Sequence, residues 1–141
     1  MTRFLSTKNT FTVAVLWSLV LFLILSLVLN FQKGSFPLMP VIIVSLVIGF
    51  VLWIILDTRY VIKNNFLLYR SGPLRGRIDI TKIKSIKRHS GLNVPVMFKP
   101  ALDTKGFIVT YNSYDDLFIS PKHSEIFISE IKKINPQIEV I

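Results

Sequence analysis

Cysteine is absent from the 141-residue chain, which excludes disulfides, thiolate zinc sites, iron–sulfur clusters and cysteine nucleophiles. Acid is missing from a long stretch: no Asp or Glu precedes Asp57, and the first 56 residues carry only Arg3, Lys8 and Lys33. Residues 11–29 and 38–56 hold no charged side chain at all. Of the 25 charged residues, 22 lie at or after Asp57, so charge and grease occupy different halves of the chain. That division excludes a plain soluble domain, a disordered chain and a nucleic-acid-binding arm. Only six glycines occur, and none sits in a phosphate-cradling array.

The two uncharged stretches are what the sequence has in abundance. Phe11–Leu29 and Leu38–Leu56 are nineteen residues each, with Thr12, Ser18, Ser26 and Ser45 as their hydroxyls. Nineteen helical residues rise about 28 Å, close to the hydrocarbon thickness of a bilayer. Backbone in lipid must satisfy its own hydrogen bonds, so both stretches are expected as transmembrane helices despite their Val and Ile content. The first run is too long for the roughly 7–15-residue core of a signal peptide, and no small-x-small cleavage site follows it. It is expected to be a retained anchor.

Asn30–Pro37 joins the two spans with Lys33, Gly34, Ser35 and Pro37, which is turn chemistry. The spans therefore form a helical hairpin with both ends on one side. Arg3 and Lys8 flank the first span; Arg59, Lys63 and Arg70 follow the second; Lys33 stands alone in the loop. By the positive-inside rule both termini face the cytoplasm, with Trp53 near the inner interface. Ser45 and Gly49 form a small-xxx-small pair that is expected to pack against Ser18 or Ser26. The chain thus divides into residues 1–56, a tail and two-helix anchor, and residues 57–141, a cytoplasmic domain.

The second part has period-2 patterning. Thr58–Lys63 and Phe66–Arg70 read as a hairpin around Asn64-Asn65, residues that tolerate positive φ. Leu74–Ile80 reads as a third strand after the Ser71-Gly72-Pro73 break. Ile80, Ile83 and Ile86, three apart, suit a helical turn leading into another strand. Ser90–Pro95 reads as loop and Met97–Leu102 fits no one element. Phe107–Tyr111 and Leu117–Ser120 flank a further hairpin turn at residues 112–116. Ser120 as N-cap and Pro121 as first helical residue predict a terminal helix with an apolar stripe of Ile126, Phe127, Ile131 and Ile134, stopped at Asn135-Pro136.

Several segments carry a family pattern in order: Leu68–Pro73, Ile78–Ile86, Lys99–Leu102, Phe107–Tyr111 and Phe118–Pro121. Through most of residues 58–136 the chain resembles the bacterial PH-like domain of the YyaB-like group, whose members often follow two N-terminal membrane helices. The resemblance implies a membrane-anchored α+β protein. In that fold a transmembrane helical hairpin precedes a PH-like antiparallel β-sandwich or open barrel with a C-terminal helix. It implies no enzymatic activity, no cofactor and no fixed ligand. Lys63 with Arg75-Gly76-Arg77 formally fits the basic pattern of phosphoinositide-binding PH domains. Here, however, the Arg pair falls in the third predicted strand rather than the second.

The strongest chemical feature is the stretch Arg70–Arg88. It holds Arg70, Arg75, Arg77, Lys82, Lys84, Lys87 and Arg88 against Asp79 alone, a net +6 in nineteen residues. A patch of that charge suits anionic lipid headgroups, at about 1 kcal/mol per basic residue near the surface, or a protein partner. The competing reading is a solvated face that only enforces topology. Nucleic acid is disfavoured, because single-strand binding interleaves basic residues with aromatics and this stretch has none. His89 and His123 are the only histidines, and His123 and Glu125 are too close in sequence for a helical ligand pair at three or four apart, so both read as surface histidines and no metal site is expected. Asp115-Asp116 reads as hairpin-tip chemistry. The expected protein is a non-catalytic binding module at the cytoplasmic face of a bacterial inner membrane, an integral two-pass protein. The alternatives are a subunit of a self-associating or mixed membrane assembly, and a sensor of the anionic lipid surface.

Overall fold

The computed structural model describes residues 1–32, 34 and 38–141. Strand β1 (Thr2–Leu5) comes first, followed by helices α1 (Thr10–Phe31) and α2 (Leu38–Asp57). Strands β2 (Arg59–Lys63), β3 (Phe66–Ser71) and β4 (Leu74–Asp79) follow, then a 3-10 turn over Ile80–Lys82. Strands β5 (Ile83–Ser90), β6 (Lys105–Tyr111) and β7 (Asp115–Ile119) lead to α3 (Ser124–Ile134) and a short β8 (Glu139–Val140). One sheet has the order β1-β2-β3-β4, the other β7-β6-β5-β8. Every pairing is antiparallel except β8 on β5.

The helices are 22 and 20 residues long, about 33 and 30 Å by the helical rise, and apolar enough to cross a membrane. The two helices are in contact, each with one buried residue, Val20 on α1 and Val51 on α2, and most of their remaining surface is open. The expected small-residue contact is not made. Ser45 and Gly49 are exposed, and a methyl added at Gly49 would meet nothing. The buried helix residues are the branched Val20 and Val51 instead. Ser18 donates back to the Val15 carbonyl at 2.8 Å, so its hydroxyl is satisfied within the helix. Of the connecting residues, Lys33, Ser35 and Pro37 lie outside the described residues.

The N-terminal tail is more than a charged flank. Thr2–Leu5 pairs along β2, with Phe4 opposite Tyr60 and Arg3 opposite Val61. The hairpin of α1 and α2 is therefore inserted between two neighbouring strands of one sheet. Phe4 is buried edge-on against Phe127 of α3, with ring centroids 5.2 Å apart. Asn9 caps α1, its side-chain oxygen accepting from the Phe11 N–H at 3.0 Å, while its amide donates to Thr104. Thr58 closes the other end: its hydroxyl donates to the Ile54 carbonyl at 2.6 Å and lies 2.9 Å from the Ser71 hydroxyl.

The hairpin turns follow their chemistry. Asn64 and Asn65 both have positive φ, as a two-residue turn between twisted strands requires. Gly72 has φ +55°, and a Cβ there would press on Ile54 of α2 at 2.8 Å, so conformation and packing both demand glycine. Asp79 accepts from the Thr81 N–H at 3.0 Å and its hydroxyl at 2.6 Å, starting the 3-10 turn that carries the chain to the second sheet. Ile80, Ile83 and Ile86 all enter the core between the sheets.

The terminal helix starts later than predicted. Ser120 is no N-cap: it is buried, its hydroxyl 2.8 Å from that of Ser6, and the helix begins after His123 at φ +60° with no side-chain cap. The chain around Ser120 is held by the N-terminal tail, with Thr7 N–H on the Ser120 carbonyl and Lys122 N–H on that of Leu5. The buried stripe is Phe127, Ile128 and Ile131, with Ile134 half-buried; Ile126 faces solvent. Past the helix, Ile138 is buried and Glu139–Val140 adds a strand that the sequence reading left unassigned. Residues 97–102 form no regular element, only isolated bridges such as Phe98 to Leu117.

Near the start of β2, where the sheet joins α2, Tyr60 is fully buried. Its hydroxyl donates to the Pro100 carbonyl at 2.6 Å and accepts from the Ser120 N–H at 3.1 Å. Burial raises its pKa, opposed in part by hydrogen bonds from Ser120 and Ser6. A raised folded pKa means that stability is fully present below the unfolded tyrosine value and is lost as pH rises past it. Pulse proteolysis of the detergent-solubilised chain should therefore show stability falling above about pH 10. Tyr60→Phe should cost about 1–3 kcal/mol at neutral pH, by unpairing two buried backbone groups. It should also flatten the alkaline decline, though not abolish it, since burial raises Tyr111 too. An unchanged neutral stability would contradict the assigned hydrogen bonds.

Candidate functional site

Strand parity sorts the basic residues. In the first sheet, Phe4, Tyr60, Ile62, Leu67 and Ile78 point into the core. Their neighbours along each strand must then point outward. The register places Leu5, Arg59, Arg70 and Arg75 in one row across four strands, and Arg3, Val61, Leu68 and Arg77 in the next. A third row is Lys63, Phe66 and Asp79. The outer face of this sheet thus carries Arg3, Arg59, Lys63, Arg70, Arg75 and Arg77.

The first row adjoins the helices. Arg59 lies two residues beyond the last residue of α2, Asp57, whose carboxylate is largely buried. Asp57 accepts from Arg70 Nε at 2.5 Å and lies 3.8 Å from an Arg59 guanidinium nitrogen. Among the described residues no carboxylate lies within ion-pair distance of Arg75, whose Nε reaches only the Gly72 carbonyl at 3.4 Å. Arg77 rests over the Phe66 ring, 5.5 Å from its centroid. Together these side chains rim a hollow of about 450 Å³ floored by Val61, Leu68 and Gly76. Gly76 is required there, because any side chain would collide with the Tyr69 phenol on the sheet's other face. Asp79, the one acid in the third row, is held below the usual carboxylate range by its hydrogen bonds from Thr81.

Residues 58–135, more than half the chain, match the family described as Bacterial PH domain. The chain belongs to the bacterial PH domain family. No curated protein and no solved structure matches it. The two sheets and closing helix of this bacterial PH domain agree with the fold that the resemblance implied.

The basic stretch of this PH domain does not form one surface. Arg70, Arg75 and Arg77 converge on the outer face of the first sheet. Lys82 and Lys84 line a separate hollow with Asn112, Asn135 and Gln137 beside the crossover turn. Lys87 stands opposite Ile108 on the second sheet, and Arg88 is paired to Glu125 at 2.5 Å. The basic patch expected from sequence did not include Arg3 and Arg59, which counted there only as flanks of the apolar spans. Alternation about buried Tyr60 and Ile62 would have found Arg59; Arg3 needed the unsuspected β1. Of the aromatics, Phe107 and Phe118 are core, whereas Phe98 and Tyr114 are exposed. His89 packs edge-on to Phe118 and His123 makes the positive-φ start of α3. Asp115 and Asp116 open β7 rather than sit in the turn: Asp115 accepts from Asn112, and Asp116 accepts from Thr110 directly opposite it on β6.

The asymmetry within the arginine row is measurable. Arg70→Met strips a largely buried carboxylate of its closest partner and should destabilise the PH domain by about 1–2 kcal/mol. Arg75→Met removes no ion pair and should stay within about 0.5 kcal/mol of the parent. Denaturant titration of both variants checks this; equal losses would mean that Arg75 has a structural role.

Proposed function

We propose that this PH domain is a non-catalytic binding module held against the cytoplasmic face of a bacterial inner membrane, with the outer face of its first sheet apposed to anionic lipid. The supporting observation is the double attachment of the domain to the helices. β1 leads directly into α1, α2 leads directly into β2, and these two strands pair. A domain tethered by one flexible linker swings freely; this one has its orientation set by two short connections and by Asp57, Thr58 and Ser71 at the junction. The arginine row lies at that junction, where headgroups begin.

Orientation in the bilayer follows the same charges. Arg3, Lys8, Arg59, Lys63 and Arg70 flank the domain ends of the helices, which favours the cytoplasmic side for the domain and both termini. Lipid contact then falls to Arg59, Arg70, Arg75 and Arg77, with Arg3 beside them. Lys82, Lys84, Lys87 and Arg88 remain for solvent or for a protein partner.

The chain's lack of cysteine makes the test clean. An environment-sensitive fluorophore on Leu68→Cys, in full-length protein reconstituted into anionic bilayers, should be shielded from an aqueous quencher. The same label on Lys87→Cys should stay open to it. The shielding should weaken in zwitterionic bilayers and in high salt. Equal quenching at both positions, or indifference to lipid charge, would overturn the proposal.

A further inference from the structure

The outer hollow of the first sheet has features beyond a diffuse positive charge. Arg59, Arg70 and Arg75 stand directly opposite one another on adjacent strands. Neighbouring strands are about 4.8 Å apart, and like charges placed directly opposite are destabilising. Asp57 offsets only part of this, because it engages Arg70 and Arg59 and leaves Arg75 without an acid among the described residues. Beside the row, Arg77 adds a fourth guanidinium, and Val61 and Leu68 supply an apolar floor. Four cations and one carboxylate leave the hollow short of negative charge.

Resting on the membrane-apposed reading, we infer that this hollow is a site for one lipid headgroup bearing a phosphate monoester, as in phosphatidate. Three geometric points carry it. Guanidinium forks match phosphate oxygens bidentately, and a row of three presents donors that one small group can bridge. A monoester offers three terminal oxygens and a charge between −1.5 and −2 at about pH 7, whereas a diester offers two and −1; surrounding cations favour the fuller charge. Finally, the row has the right height. Arg59 is within about 7 Å of the end of α2 along an extended strand, and the polar layer outside each hydrocarbon face is about 5–7 Å deep. The headgroup phosphate meets the guanidinium row with its glycerol toward the bilayer, and Val61, Leu68 and Arg77 lie on the far side of the phosphate.

The experiment uses the full-length chain in nanodiscs of phosphatidylcholine containing phosphatidate and phosphatidylglycerol. Lipids retained after gentle release are counted by native mass spectrometry. Phosphatidate should be retained about fivefold over phosphatidylglycerol, including where the diester is raised to give the same surface potential. Arg75→Gln, and separately Arg59→Gln, should bring that preference below about twofold. Lys87→Gln should leave it intact. Arg70 is avoided because it holds Asp57. Excess inorganic phosphate should not displace the lipid; displacement would make the site one for soluble phosphate and overturn the lipid assignment. Equal retention of the two anionic lipids, both above phosphatidylcholine, overturns this inference while the membrane-apposed reading stands. A preference that survives both arginine variants also overturns it. No enrichment of either anionic lipid would remove the broader reading as well.

Discussion

The pairing of β1 with β2 is the constraint on which the rest depends. Some fifty residues, two long apolar helices among them, separate these strands in sequence, yet they lie side by side in register. Closing so long a loop costs entropy, but the cost grows only slowly with length, and the contact between the two helices shortens the effective loop. In return the sheet gains a fourth strand and the core gains Phe4. The segment around Ser120 also gains a partner for its backbone. The same pairing removes the freedom that a single linker would leave, so the domain's orientation becomes a property of the fold.

Once orientation is set, charge placement acquires meaning. A sheet presents alternate residues to its two faces, so one face of β2–β4 can be wholly core and the other strongly basic. The arginines stand nearest the helices, where Asp57 both terminates α2 and anchors Arg70. An aspartate at a helix C-terminus is unfavourable to the helix dipole, and the two arginines beside it offset that cost. Turn glycines serve the same junction: Gly72 lets the β3–β4 turn rest on Ile54. The basic row therefore emerges from the packing of sheet against helix, not from a loop added to a finished domain.

Much of this was legible in the chain itself. Absence of charge over nineteen residues marks a bilayer-length helix without reference to any neighbour. Asn64-Asn65 marks a hairpin, and the three-residue spacing of Ile80, Ile83 and Ile86 marks the crossover turn, because these are local rules. What failed depended on partners distant in sequence. Thr2–Leu5 is too short to announce a strand, and its partner lies past both helices. Ser120-Pro121 has every local mark of a helix start, but Ser6 and Thr7 claim that backbone and delay the helix to Ser124. Ser45 and Gly49 have the spacing of a packing motif, yet the buried helix residues are Val20 and Val51. A linear count of basic residues likewise merged three surfaces into one. Strand register separates Arg70, Arg75 and Arg77 from Lys82–Arg88, and adds Arg3 and Arg59.

The most direct measurement is a cross-link between β1 and β2 in the full-length chain. Arg3 and Val61 are directly opposite, where Cα atoms lie about 4.5–5.5 Å apart, within the range a disulfide spans. Arg3→Cys with Val61→Cys, in a chain carrying a protease site between the two helices, should stay one species after oxidation and cleavage and separate on reduction. The Arg3→Cys, Leu68→Cys pair, one strand further away, should fall into two fragments throughout. If the opposed pair also fragments after oxidation, β1 does not lie on β2 and the fixed orientation of the domain is refuted.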